Sequence, residues 1–319
     1  MEVQLDSSFR FHPTLPLDAD HYQKCYKAFC GALICCATTS RKSLGTAIDN
    51  RLLGVGAILT DKLGRRMEGQ QPPIDEPLRH LGVGSGSGRI EGHLLQVLLG
   101  TFKQIYSRVL EPSGESIASY QALVQADPSL AEGVEFDWRQ QTLEAYQASD
   151  DKGRDVKFDV ITSMHSIYYG GRMEDKVPYL YNLLTEGGVL LFELKSETDD
   201  LSQVQRHFLS PDIPGYRYYT AQKLQSFLDA SDIKYDRVDG PRYHIDVTEC
   251  FDNRSTEGAL ILDFLSHMRQ FRKEVPVERR EMFLGLLRQN ARPVGDRLML
   301  THDTSVVTVQ RTAGQEFKE

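Results

Sequence analysis

The sequence lacks the features that would tie it to a membrane, a disulfide scaffold or a nucleic acid. Its longest apolar stretch, AFCGALICCA over residues 28–37, falls well short of the roughly 20 residues a bilayer-spanning helix needs. A polar segment precedes that stretch, and no basic leader with a small-residue cleavage site is present, so no membrane partner is expected. Five cysteines form no even-numbered disulfide framework, and four crowd together at Cys25, Cys30, Cys35 and Cys36. Five-residue spacing separates side chains by about 140° around a helix. With no C-x-x-C pair and no evident histidine partner, the expectation is no metal, buried thiols and a reducing, cytoplasmic compartment. Positive charge is also scarce: 37 Lys and Arg against 45 Asp and Glu leave a formal charge of −8. Scattered cations on an acidic chain repel phosphate backbones, so nucleic acid is not an expected partner, whereas a small cation would be steered inward.

What is present is ample for a core: 319 residues, 40% apolar and 26% charged, an ordinary globular composition. Residues 1–16 read as a flexible tail. From Asp20 to about Cys36 apolar residues recur at three- and four-residue steps, predicting an amphipathic helix, and 44–63 reads as a second. A turn-rich connector, GQQPPIDEP over 69–77, follows. Beyond it strands alternate with helices: strands at 78–83, 106–110, 134–136, 158–163 and 189–194, helices at 88–102, 115–126 and 176–184. That alternation predicts an α/β fold with a doubly wound, mostly parallel Rossmann-like sheet, helices on both faces and a smaller substrate-binding domain. The tail reads as helix (223–231), extended chain (235–248), two helices (260–272, 279–287) and a last strand (304–310), placed at the sheet edge. The division expected is a tail (1–16), covering helices (17–70), a cofactor domain (71–222), lid elements (223–300) and a final edge strand with tail (301–319).

The sharpest local signal is LGVGSGSG, residues 81–88, between a predicted strand and a predicted helix. Gly82, Gly84 and Gly86 let the backbone turn tightly and approach a ligand where a Cβ would collide. Glu111, at the end of the second strand, stands about 20 residues further on, where a carboxylate can accept from ribose hydroxyls. The G-x-G-x-G spacing suits S-adenosylmethionine better than a dinucleotide, since no pyrophosphate needs a helix N-terminus. Thr142 and Leu143 follow the third strand and Met164, His165, Tyr168 and Tyr169 the fourth, at the carboxyl ends where ligands bind in such sheets.

The segments LEPSGESIASYQALV (110–124), VEFDWRQQTLEAYQ (134–147) and FDVITSMHSIYY (158–169) carry a resemblance to the histamine N-methyltransferase family, supported by the glycine loop, by LDFL (262–265) and by DTSVVTVQ near the end. The resemblance implies a class I methyltransferase that moves a methyl group from S-adenosylmethionine to a nitrogen of a small amine or imidazole, leaving S-adenosylhomocysteine, and that works as a monomer. Carried across, the cofactor set is Gly84 and its neighbouring glycines, Glu111, Ser116, Leu143 and Met164; the family pattern has glutamine at the Ser116 position and serine at the Leu143 position. Its aromatic pocket falls on Tyr22, Tyr26, Phe29, Tyr168, Tyr169 and Phe264. A pocket glutamine is replaced by His165 and a pocket asparagine by Asp303. Two pocket tryptophans of the family have no counterpart in 196–206, which contains no Trp, since the chain's only one is Trp138, and no acid stands in 32–39 to hold an imidazole.

Methyl transfer needs a neutral lone pair aimed at the methyl carbon and little else. An imidazole offers one at neutral pH, whereas an amine must first lose a proton. The expectation is that Tyr168, Tyr169 and Phe264 orient a ring, Asp303 holds a substrate cation, and His165 serves as hydrogen-bond partner or base. A small-molecule O-methyltransferase and a non-catalytic cofactor-binding protein of the same fold stay open as alternatives.

Overall fold

Runs such as VLLFEL and FDVITS carry Val, Leu, Ile and Phe on both sides of the chain, as strands covered on both faces do. In the computed structural model they lie side by side. Residues 18–35, 54–64, 76–149, 156–209, 215–240, 242–315 and 317 are described; the tail expected over 1–16 lies outside them, as does most of the expected connector. The chain runs α1 (Ala19–Ala32), β1 (Leu33–Cys35), α2 (54–64), β2 (Leu78–Val83), α3 (Arg89–Leu99), β3 (Ile105–Leu110), α4 (Gly114–Ala126), α5 (Pro128–Gly133), β4 (Val134–Arg139), α6 (Leu143–Ala148), β5 (Phe158–Met164), α7 (Met173–Asn182) and β6 (Leu184–Lys195). It continues through α8 (Asp200–Phe208), α9 (Ala221–Ala230), β7 (Tyr235–Asp239), β8 (Tyr243–Asp246), α10 (Thr256–Ser266), α11 (Phe271–Glu274), α12 (Val277–Asn290), β9 (Arg292–Val294), β10 (Arg297–His302) and β11 (Thr304–Gln310).

Seven strands form one sheet in the order β4-β3-β2-β5-β6-β11-β7. The first five are parallel neighbours, and β11 is antiparallel to both β6 and β7. This is the doubly wound, mostly parallel α/β arrangement the sequence led us to expect. One face packs a cluster around Leu94, Leu95, Val160 and Leu191, to which α2 adds Val55, Leu59 and Leu63 on a single stripe. The larger cluster on the other face takes in Leu81, Phe192, Leu224 and Val307 and continues under α1, α8 and α10. Removing such side chains from water is worth about 1.5–3 kcal/mol each.

Four expectations need correction. The last strand is not at the edge: β7 pairs outside it, because 235–248 is not one extended segment but two strands in different sheets. β8 joins a second, four-stranded sheet, β1-β8-β10-β9. The first helix does not reach Cys36; it ends at Ala32, and Leu33–Cys35 pair antiparallel with Tyr243–Ile245. Nor do lid elements begin at 223, since α9 starts at Ala221 and leads into β7 of the large sheet.

Candidate functional site

The backbone turns at the carboxyl end of β2 through Gly84, Gly86 and Gly88, all with positive φ, and α3 starts on Gly88. At Gly86, φ is +57° and a Cβ would meet nothing within 4 Å, so the loop presents a bare backbone wall to open space. Gly82 differs: its Cβ would fall 2.2 Å from the Glu91 carboxylate, so the missing side chain makes room for a neighbour rather than for a ligand. The buried Glu111 carboxylate closes the loop from the end of β3. Oε2 accepts from Gly86 N at 2.8 Å and Oε1 from Ser113 N at 2.9 Å. Burial raises its pKa despite those two amide bonds, which act the other way. A carboxylate with spare lone pairs beside a wall that a Cβ would fill suits the vicinal hydroxyls of a nucleoside, so these residues fit S-adenosylmethionine.

Beneath the loop lies a polar layer that sequence reasoning missed. Glu91 accepts from Ser85 Oγ (3.0 Å), Thr162 Oγ1 (3.1 Å) and Tyr120 OH (3.3 Å), and burial lifts its pKa to about 7. His80 bridges Ser107 and Thr162, with its pKa lowered to about 3 by burial. Only a charged residue in α3's apolar pattern and a histidine within a strand hinted at this.

The other expected cofactor residues are spread around the same sheet end. Ser116 is buried on α4; its Oγ accepts from Gln23 Nε2 of α1 at 2.7 Å. Thr142 caps α6 by accepting from Ala145 N, and Leu143 behind it is a core side chain. Met164 ends β5 opposite Glu193 of β6 and is half-buried.

The expected aromatic residues converge. Tyr22 and Tyr26 stack with centroids 6.3 Å apart, Phe29 stacks on Phe264 at 4.4 Å, and Phe264 also meets Tyr22 and Tyr26 at 5.8 Å. Tyr169 joins edge-on to Tyr22, with the two hydroxyls 2.9 Å apart, and Tyr168 packs against Tyr169. Burial raises the Tyr22 and Tyr169 hydroxyls above their ordinary range. Helix α1 supplies Tyr22, Tyr26 and Phe29 because 22, 26 and 29 share one face at four- and three-residue steps. A clasp holds that face on α10: buried Asp263 accepts from His21 Nε2 at 2.7 Å and from the amides of Gln270 and Phe271 at 2.8 Å each. Cys25 completes a His21–Cys25–Asp263 group with one ligand-type atom each within 4.8 Å. This corrects the reading that no histidine accompanies the cysteines. Burial, reinforced by Asp263 and Asp18, pushes the Cys25 thiol up to about 12, so it is protonated at neutral pH.

The two polar pocket residues fare differently from their expected roles. His165, at positive φ, has both ring nitrogens engaged: Nδ1 lies 3.3 Å from Tyr168 OH and Nε2 3.3 Å from Oε1 of the buried Glu193. Tyr168 OH also accepts from Lys195 N at 2.9 Å. Both ring nitrogens of His165 therefore face protein partners. Asp303 does not offer an open carboxylate; Arg242 grips it bidentately, with Nε and Nη2 each 2.9 Å from an oxygen. Its neighbour His302, passed over in the sequence, faces the aromatic cluster, with its ring centroid 6.2 Å from Phe29 and 6.4 Å from His165. Behind His302, Nδ1 lies 3.2 Å from Oδ2 of buried Asp199. Lys195 sits nearby in a buried nest of Gln205 and Tyr216, its pKa lowered to about 7 by burial.

Fold and site together define a methyltransferase of the class I type. No family model matches the chain. In sequence it is similar to histamine N-methyltransferase of Danio rerio, 27% identical over 72% of this chain and 80% of that protein. It is likewise similar to carnosine N-methyltransferase 2 of Gallus gallus, 29% identical over 61% of this chain and 62% of that one. Among solved structures, a loganic acid methyltransferase with SAH covers 87% of this chain and 97% of its own at 9% identity, with a TM-score of 0.47. In sequence, then, the chain resembles the histamine and carnosine N-methyltransferases.

Proposed function

We propose that the protein binds S-adenosylmethionine at the glycine loop and methylates a nitrogen of a small amine or imidazole compound in the aromatic pocket. The observation that carries the reading is Glu111 bonded to the bare Gly86 backbone beside open space. The two sequence relatives quoted above, named for N-methylation of histamine and of carnosine, support the same reading. When bound, S-adenosylmethionine supplies an electrophilic methyl group on a sulfonium. Glu111 accepts from the ribose hydroxyls, and Gly84 and Gly86 let the ligand lie against the backbone. Leu143 and Met164 border the adenine side. Tyr22, Tyr26, Phe29, Tyr169 and Phe264 wall off water and orient the acceptor's ring, with Tyr168 and His165 behind them. The division into covering helices, a cofactor domain and lid elements belongs to this reading, as do a monomeric state and a cytoplasmic setting. Among the described residues no helix is long and apolar enough to cross a membrane.

Calorimetry with S-adenosylhomocysteine tests the cofactor half. Wild type should bind, and Glu111→Ala should weaken binding about 10- to 100-fold, the worth of a charge-assisted hydrogen bond. Equal affinity in both proteins would overturn the assignment. Release of S-adenosylhomocysteine in the presence of histamine, with product mass, then tests the substrate half.

A further inference from the structure

His302, which sequence reasoning passed over, keeps one ring nitrogen with no hydrogen-bond partner among the described residues. Nδ1 of His302 faces a carboxylate that is itself fixed: Asp199 Oδ2 also accepts from Asp303 N at 2.7 Å, and Oδ1 from Ser202 N at 2.5 Å. A carboxylate only accepts, so Nδ1 carries the proton and Nε2 is left with the lone pair. Those bonds outweigh burial and hold the Asp199 carboxyl below its ordinary range, so it is ionised at neutral pH. The ring is nine-tenths buried, edge-on to Phe29 and therefore against the aromatic cluster.

We propose, resting on the methyltransferase reading above, that His302 is the proton acceptor of this site and that the substrate is a protonated amine carried on an aromatic ring. An imidazole needs no base to expose its lone pair, whereas an ammonium group has none to offer. In the step assigned to His302, an N–H bond of the ammonium breaks and its electron pair stays on nitrogen as the attacking lone pair. The proton bonds to His302 Nε2, Asp199 stabilises the resulting imidazolium, and the proton leaves to solvent after turnover. Asp199 is the positioning residue. The charged and titratable groups around His302 are Asp199, which caps α8, Asp200 on α8, His165 after β5 and the Asp303–Arg242 pair, with Glu193 beyond His165 and Lys195 of β6 opposite Thr304.

The test uses the full chain with S-adenosylmethionine and two probes, 2-phenylethylamine and 4-methylimidazole, reading S-adenosylhomocysteine release and product mass. Wild type should methylate the amine, with kcat/KM falling tenfold per pH unit in the acid range. His302→Gln should lose 10²–10⁴-fold in kcat near pH 7, with the S-adenosylhomocysteine Kd unchanged. It should recover as pH nears the amine's own pKa, about 10 for an alkylammonium. Asp199→Asn should displace the acid limb, which a merely structural role would not. Turnover of the imidazole alone, a flat wild-type profile, or His302→Gln activity equal to wild type near pH 7 would each overturn the proposal. No turnover of either probe with S-adenosylhomocysteine bound would overturn it while leaving the cofactor reading intact. Failure to bind S-adenosylhomocysteine would remove that reading itself.

Discussion

Replacing Glu91 by Gln should raise stability above neutral pH, because the fold holds that carboxyl in its protonated form. An exposed glutamate titrates near 4.5, whereas buried Glu91 titrates at about 7. At about 1.4 kcal/mol per pH unit, that gap is worth about 3 kcal/mol. The sign follows from proton counting. Between about pH 4.5 and 7 the folded chain keeps a proton that the unfolded chain gives up, so the contribution is full below 4.5 and lost by the time pH passes 7. Glutamine is neutral throughout, fills nearly the same volume and can still bond Ser85, Thr162 and Tyr120 by turning its amide group. Urea denaturation at half-unit steps from pH 5 to 9 should show the two proteins similar at pH 5 and the Glu91→Gln variant more stable by about 2–3 kcal/mol at pH 8. Lys195 and Glu111, which titrate in both proteins, cancel in the difference. Parallel stability curves, or a variant less stable at every pH, would refute the claim that an unfavourable buried charge sits under the loop.

Removing the clasp with Asp263→Ala strands two backbone amides and the His21 ring, and should cost about 2–4 kcal/mol in a denaturation experiment. Trypsin should then cut at Lys24 and Lys27 of α1 in conditions where the wild-type helix resists; an unchanged digest would show that apolar packing alone seats the helix. Asp303→Asn breaks a partly exposed ion pair with Arg242, so stability should change by less than about 1 kcal/mol. The substrate KM should also stay within about threefold; a larger rise would restore Asp303 to direct substrate contact.

Much of the sheet was readable in the sequence because parallel strands buried on both faces are apolar throughout, and because glycines between a strand and a helix have few other uses. Glu111 was equally legible, since its distance from those glycines follows from one strand–helix–strand unit. The four-stranded sheet was not. Its members are three to six residues long and come from 33–35, 243–246 and 292–302, so pairing rests on contacts between distant segments that leave no local periodicity. The split of 235–248 was hidden for the same reason. In the pocket, the aromatic residues of α1 were visible at helical spacing, but the roles of His302 and Asp303 could not be divided from the sequence. Adjacent residues at the end of a strand point in opposite directions, and only the partners settle which one enters the pocket: Asp199 for His302 and Arg242 for Asp303.

The passage from β10 to β11 has a mechanical side. A single residue, Asp303, carries the chain from the small sheet into the large one, and its amide ends on the same carboxylate oxygen as the His302 ring. One carboxylate oxygen thus fixes both the chain crossing between the sheets and the tilt of the imidazole, so a substitution at Asp199 disturbs the seam and the aim of that ring together.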